Sequence, residues 1–394
     1  MKRSIFLYGF LAVFCAGSAS LAAAASFGAL PKPVTQAIPV ILDGFFGTKE
    51  EQQPQVWQHP IHDDETFDAV KKTHEILPFE RVELSLALDL PNDWEGQVFA
   101  EGKNYELSQK ILGDIAIFKS PLIGTARAVV TIHALTLEHE ISAAHWLKNY
   151  ILSNGFSPDG EVIAKSNTSA SAFYINIEKG ISVHTYIGAH ISGNTMMLVR
   201  FVIPLDLKDY VSYLQKRIID SFHLTYPKDS PIEQQKIFTM VDSIKFNYPE
   251  SWMVVSPDFR DMNHLTVQLH NKDTAGVAQG FIRIAAVRRS RSTDLDAEIQ
   301  SLRQFFKNKM KLDFVKMEFS GKSPAYDRFI FNRFETYLVS SPEKPDATQK
   351  VDIVVLGDKE WYILMFLLSP REEEDLYNAA RNEQSLDVLI KSIK

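Results

Sequence analysis

Leu90-Pro91-Asn92-Asp93-Trp94 and Pro249-Glu250-Ser251-Trp252 decide the reading of this chain, because each closes a run of alternating apolar residues. Before the first, Val82, Leu84, Leu86, Leu88 and Leu90 alternate with Arg81, Glu83, Ser85, Ala87 and Asp89. Before the second, Ile244, Phe246 and Tyr248 do the same. A period of two is that of a half-buried strand. Proline has no N–H to give to a ladder, so it ends the strand. The indole three residues later is expected to fold back over the sheet edge as a structural anchor, not to stand out as a stacking platform.

A single Pro-x-x-Trp match is common, so a repeat needs support further along each half. In both halves a pair of strand-like segments follows, then a helix with one apolar face: Ile141, Ala144, Leu147 and Ile151 in the first, Leu295, Ile299, Leu302 and Phe306 in the second. Steps of three and four residues bring each set onto one side. Strands then return, through Phe173, Ile175 and Ile177 and, past Gly180, Ile181 and Val183; in the second half Phe329 and Phe331, then Val351, Ile353 and Val355, take these places. Each half next has a nearly unbroken apolar strand, 196–203 and 361–368, whose composition implies cover on both faces, and each is ended by a proline, Pro204 or Pro370. A closing helix carries Leu207, Val211, Leu214 and Ile218, or Leu386, Leu389 and Ile393. The expected organisation is a flexible lead-in over 25–77, one domain over 78–226, a proline-containing linker over 227–232 and a second domain over 233–394. The expected fold class is α+β: two tandem α/β/α sandwiches, each an antiparallel sheet flanked by helices.

The first residues have the build of a secretory signal: Lys2 and Arg3, an apolar stretch from Ile5 to Phe14, then the small residues Ala22 to Ala25. Cleavage is expected after Ala24 or Ala25, leaving 1–24 as the signal peptide and a periplasmic or secreted mature protein. The chain's one cysteine, Cys15, leaves with that segment, and with it disulfides, thiol catalysis and thiolate metal sites. A composition that is 45% hydrophobic supplies two ordinary cores without them. The net charge of -7 argues against general nucleic-acid binding, which needs a basic footprint.

The whole pattern, ending in Asp220-Ser221-Phe222 or Lys391-Ser392-Ile393, resembles the PsbP-like domain family, twice over from about Pro78 onward. The resemblance implies an antiparallel sheet between helices, and a role as an extracytoplasmic accessory or assembly factor of a membrane complex. It implies no shared catalytic residues; no cofactor is expected.

Candidate sites are few. His59, His62, Asp63 and Asp64 form a short cluster of imidazoles and carboxylates of the kind zinc or manganese takes, in a stretch that equally reads as a solvated loop. His139-Glu140 with His145 is not a zinc-protease helix, because that chemistry needs histidines four apart and these are six apart. His184 and His190 read as surface or second-face strand residues. The serines near 166–171 lack the G-x-S-x-G elbow of a hydrolase. The run from Arg283 through Arg288, Arg289 and Arg291, continued by Arg303 and Lys307, makes a basic face for a partner protein or an anionic surface, unless the acidic stretch 371–375 neutralises it. The leading expectation is therefore a non-enzymatic binding or assembly factor whose partner is an envelope or membrane-complex protein, with an anionic membrane surface as a second candidate. An envelope hydrolase or metal-dependent enzyme with a site between the domains, and a structural subunit of a secretion assembly, remain open.

Overall fold

Pro91 and Pro249 both end strands in the computed structural model, which describes residues 61–99, 113–124, 126–240, 244–261, 263–273, 276–290 and 293–394. The expected signal segment lies outside these residues. The described chain parts into two units between Glu233 and Gln234.

In the first unit helix α1 (Asp64–Val70) leads into strand β1 (Lys71–Ile76), which pairs antiparallel with β2 (Leu86–Pro91). Then come β3 (Glu95–Val98), β4 (Gly113–Lys119), β5 (Val129–Thr136) and helix α2 (Ala143–Ser153). Strands β6 (Ser157–Pro158), β7 (Ile163–Ser166), β8 (Ser169–Glu178), β9 (Ile181–Ser192) and β10 (Thr195–Pro204) follow, and helix α3 (Lys208–Ser221) and strand β11 (His223–Leu224) close the unit. The large sheet runs β3-β4-β5-β10-β9-β8-β6, with β7 also on β8, and β11 returns to pair with β2.

The second unit opens with the hairpin β12 (Gln235–Met240) and β13 (Ile244–Pro249). It continues with β14 (Trp252–Asp261), β15 (His264–Lys272), β16 (Ala278–Arg288), helix α4 (Leu295–Met310), β17 (Asp313–Gly321), β18 (Phe331–Ser341), β19 (Lys344–Gly357), β20 (Trp361–Ser369) and helix α5 (Glu372–Ser392). Its sheet runs β14-β15-β16-β20-β19-β18-β17, the same order position by position as in the first unit. The fold is α+β, with antiparallel sheets flanked by helices.

The apolar strands β10 and β20 sit in the middle of their sheets, which explains their composition: every residue of β10 is buried. Helix α3 lays Val211, Leu214 and Ile218 on one sheet face, in a core with Leu86, Leu88, Leu90, Met197, Val199 and Phe201. In the second unit α5 places Leu386, Leu389 and Ile390 against Ile282, Met365 and Leu367, while α4 buries Ile299, Leu302 and Phe306 on the other face against Val351, Ile353 and Phe366. Each such side chain taken from water contributes about 1.5–3 kcal/mol.

The two closing helices end on one device. Ser221 Oγ accepts the Asp89 N–H at 3.0 Å and donates to the Ile218 carbonyl at 2.7 Å. Ser392 Oγ accepts the Asn247 N–H at 2.7 Å and donates to the Leu389 carbonyl at 2.9 Å. Two residues further on the chain joins the opening strand: His223 lies opposite Ala87, and Lys394 exchanges backbone bonds of 2.9 and 3.1 Å with Lys245. The last turn of each closing helix is thereby tied to the strand that ends in Pro91 or Pro249, β2 or β13.

Several expectations need correction. The lead-in is not loose over its described part, since Ile61–Leu77 contains α1 and β1, with Phe67 fully buried. The opening strand starts at Leu86 rather than Arg81: Phe79 and Glu80 have φ of 56° and 59°, and Val82–Leu84 is a 3₁₀ turn. Its period of three separates Val82, 58% exposed, from the fully buried Leu84, so the apparent alternation did not mark one strand. Ile141 precedes α2, whose buried side is Ala143, Trp146, Leu147, Tyr150 and Ile151. The segment read as a linker is held to the first unit. Lys228 N–H donates to Ser192 Oγ at 2.8 Å, and Glu140 and Glu233 each accept the other's backbone N–H at 3.0 Å.

Both tryptophans are buried. Trp94, 6% exposed, packs on Phe201 with ring centroids 5.9 Å apart, and its Nε1 has no hydrogen-bond partner among the described residues. Trp252, 1% exposed, donates from Nε1 to Ser385 Oγ at 2.9 Å. Truncating either to alanine is expected to cost about 3–5 kcal/mol in denaturant unfolding. Phenylalanine discriminates between them: Trp252→Phe loses a made hydrogen bond and is expected to cost about 1 kcal/mol more than Trp94→Phe, which deletes an unsatisfied donor. Wild-type midpoints for both alanine variants would show that neither residue anchors its unit.

Candidate functional site

Of the proposed metal cluster, His59 lies outside the described residues. Asp63 caps α1, its Oδ1 accepting the Thr66 N–H at 2.8 Å and the Thr66 hydroxyl at 2.7 Å, and these bonds hold its carboxyl below the usual range. Asp64 turns to α3, taking the Tyr213 hydroxyl at 2.6 Å and the Arg217 guanidinium at 3.0 Å. His62 is an exposed neighbour 3.5 Å from the far oxygen of Asp63. The two aspartates thus face different partners, and the contacts of Asp64 fasten α1 to α3.

The histidines are held by local structure. His145 pairs its Nδ1 with Ser142 Oγ at 2.9 Å, at the cap of α2. His139 stands 3.5 Å from Glu233. His184 takes the second-face reading rather than the surface one: it is 1% exposed, stacks on Phe173, and lies between Gln215 Oε1 on Nδ1 and Asp159 Oδ2 on Nε2, each at 3.0 Å. Lys208 pairs with the same Asp159 oxygen. Through Gln215 of α3 and Asp159, the buried His184 orients α3 on the sheet.

The basic run divides. Arg283 is buried under the Phe305 ring, 4.1 Å from its centroid. Arg303 meets the fully buried Glu335 at 3.5 Å and lies over the Tyr337 ring, and Lys307 pairs with Asp313 at 3.1 Å. Arg303 and Lys307 therefore meet Glu335 and Asp313, while in the acidic stretch 371–375 Glu373 pairs with Arg371 and Asp375 caps the body of α5 by accepting the Asn378 N–H. Arg291 lies outside the described residues. Arg288 and Arg289 remain exposed at the end of β16.

Here the structure adds a surface that sequence reading missed. A shallow depression of about 550 Å³ is lined by Arg328, Phe329, Ile330, Asp358, Lys359, Glu360 and Trp361. Arg288 lies directly opposite Trp361 in the ladder, so both point to the same side of the sheet. Arg289 braces the turn, its N–H donating to the Glu360 carbonyl at 2.7 Å and its guanidinium to the Asp358 carbonyl at 2.8 Å. The Asp358 carboxylate caps that turn through the Glu360 and Trp361 N–H groups, both at 2.7 Å. Ile330 is 64% exposed beside them. A held turn, a rim of two cations and two carboxylates, and an uncovered aliphatic side chain suit recognition of another surface.

Sequence reading also missed the buried charges. Arg200, fully buried in the apolar run of β10, meets Glu178 at 3.1 Å. Asp352 accepts the Thr336 hydroxyl at 2.7 Å and lies 3.2 Å from Lys350, which also pairs with Glu383 of α5. Burial raises the Asp352 carboxyl to about 6 despite Lys350. Asn382 of α5 reaches the Gln279 carbonyl, Ser369 and Asn271, and it does so because residue 280 is glycine: a Cβ there would lie 2.5 Å from Asn382 Oδ1. The signal for these groups was a charge or amide at an inward position of an apolar strand.

The chain matches no known family and no curated protein in sequence. Among solved structures it is similar to cyanobacterial PsbP (CyanoP) from Synechocystis sp. PCC 6803, at 11% identity over 40% of this chain and 93% of that one, with a TM-score of 0.29. A mutant of the protein Mog1 is similar at 12% identity over 41% and 95%, with a TM-score of 0.28. The immunity protein TplEi of the T6SS from Pseudomonas aeruginosa is similar at 12% identity over 82% and 96%, with a TM-score of 0.21.

The buried titrating groups set a pH dependence. Burial depresses His190 in the first unit and His270 in the second to about 4. The unfolded chain binds those protons near pH 6.5 and the folded chain does not, so their contribution to stability is complete above that value and is lost as pH falls toward 4. Asp352 has the opposite sign: its raised carboxyl takes up a proton in the folded state first, which adds stability between about pH 6 and its unfolded value near 3.9. The histidines outnumber it, so the denaturant midpoint is expected to fall from pH 7 to pH 4.5. His270→Phe should flatten that slope and Asp352→Asn should steepen it. A slope unchanged by both variants would contradict these assignments.

Proposed function

We propose that this chain is a non-enzymatic, extracytoplasmic binding or assembly factor of the cell envelope, built from tandem PsbP-like domains. The tandem reading is supported by the equal strand orders of the two large sheets and by the matching serine ties at the ends of the closing helices. The binding role rests on one observation: the depression at the end of the second sheet, where Arg328, Asp358, Lys359 and Glu360 stand around Phe329, Ile330 and Trp361, with Arg288 opposite Trp361 in the ladder. Such a surface suits a partner protein with charged and apolar side chains, since a rim of both signs fixes register while the apolar floor supplies contact area. The extracytoplasmic address is supported by the charged, apolar and small-residue segments of 1–24.

The test is cross-linking and co-purification from the native envelope, comparing the wild type with Arg288→Glu/Ile330→Asp. The mature protein is expected to start at Ala25 or Ser26 by N-terminal sequencing. Partners retained by the wild type are expected to be lost at least about tenfold from the double variant. Retention of Met1 would remove the address, and partners held equally by both proteins would remove the surface.

A further inference from the structure

The outermost strand of the second sheet, β17, exposes six consecutive residues from Val315 to Ser320. Val315, Met317 and Phe319 are 60%, 50% and 47% exposed, an unusual concentration of large apolar side chains on a sheet edge. The equivalent edge of the first unit is formed by the very short β6 and β7, which offer little backbone to pair with. Strand β17 is nine residues long and bonds to β18 on one side only. Two bulges, at Val315 and Glu318, interrupt that ladder and twist the strand, so they confine any outward pairing to a short stretch.

The charges of this stretch are arranged about its centre. Lys316 and Glu318 flank Met317, with their charged atoms 3.8 Å apart and both side chains exposed. We propose that β17 is the contact through which two copies of this chain associate, antiparallel about a two-fold axis at Met317. That axis sets Met317 against its own copy and Lys316 against Glu318 of the partner subunit, twice. Every charge then meets its opposite, whereas a parallel pairing would set like charges together. The apolar side chains leave water in the same contact, and the two-fold closes the pair, because β17 has one unpaired edge to offer.

Sedimentation velocity of the mature full-length protein over rising concentration tests this. A reversible monomer–dimer equilibrium is expected. Lys316→Glu and Glu318→Lys should each weaken it about tenfold, while the double reversal Lys316→Glu/Glu318→Lys should restore it to within about threefold of wild type. All three changes are at exposed positions, so unaltered melting curves serve as the folding control. A protein that stays monomeric, a dimer indifferent to both single reversals, or a double reversal that fails to restore association would each overturn the proposal.

Discussion

Each unit depends on a backbone N–H of its opening strand being accepted by a serine on the last turn of its closing helix. Asp89 to Ser221 and Asn247 to Ser392 join segments more than a hundred residues apart in sequence, and each serine simultaneously caps its helix by donating back to a carbonyl three residues earlier. The tie fixes where the helix ends, and so fixes which face of the helix meets the sheet. With that face set, Leu214 and Ile218, or Leu386 and Leu389, enter the core beside the strands that follow Pro91 and Pro249. Hydrophobic burial supplies most of the energy, and the serine supplies registry.

Polar groups inside the units follow one rule. His184, Arg200, Glu335, Asp352 and Asn382 each sit at an inward strand or helix position and meet a partner from another element. Such groups specify packing, because a helix shifted by one residue would leave a charge or amide buried without its partner. The outside of the second unit carries a depression of mixed charge and apolar side chains at one end of its sheet and an apolar edge strand at its side.

Much of the fold was legible because burial imposes a period on sequence. The central strands, both closing helices and the helix with Ile299, Leu302 and Phe306 show it openly. Period alone failed at Val82 to Leu84, where a 3₁₀ turn also spaces apolar residues two apart without placing them on one face. The sites were less legible, since a contact between distant positions leaves no local mark. The basic run could be seen, but its neutralising partners Glu335 and Asp313 could not be chosen over the more conspicuous acids of 371–375. The aspartates of the lead-in carried a metal-like spacing, yet one caps its own helix and the other reaches Arg217 of a helix far along the chain.

The central claim is that the serine ties hold each opening strand in place, and site-resolved hydrogen exchange of the intact protein reads it directly at the amides of Asp89 and Asn247. The account predicts that both are among the slowly exchanging amides of their hairpins. It further predicts that Ser392→Ala accelerates Asn247 and its neighbours in β13 while leaving Asp89 protected. Exchange at Asn247 that is already as fast as at the exposed residues of β17, or that does not respond to Ser392→Ala, would contradict it.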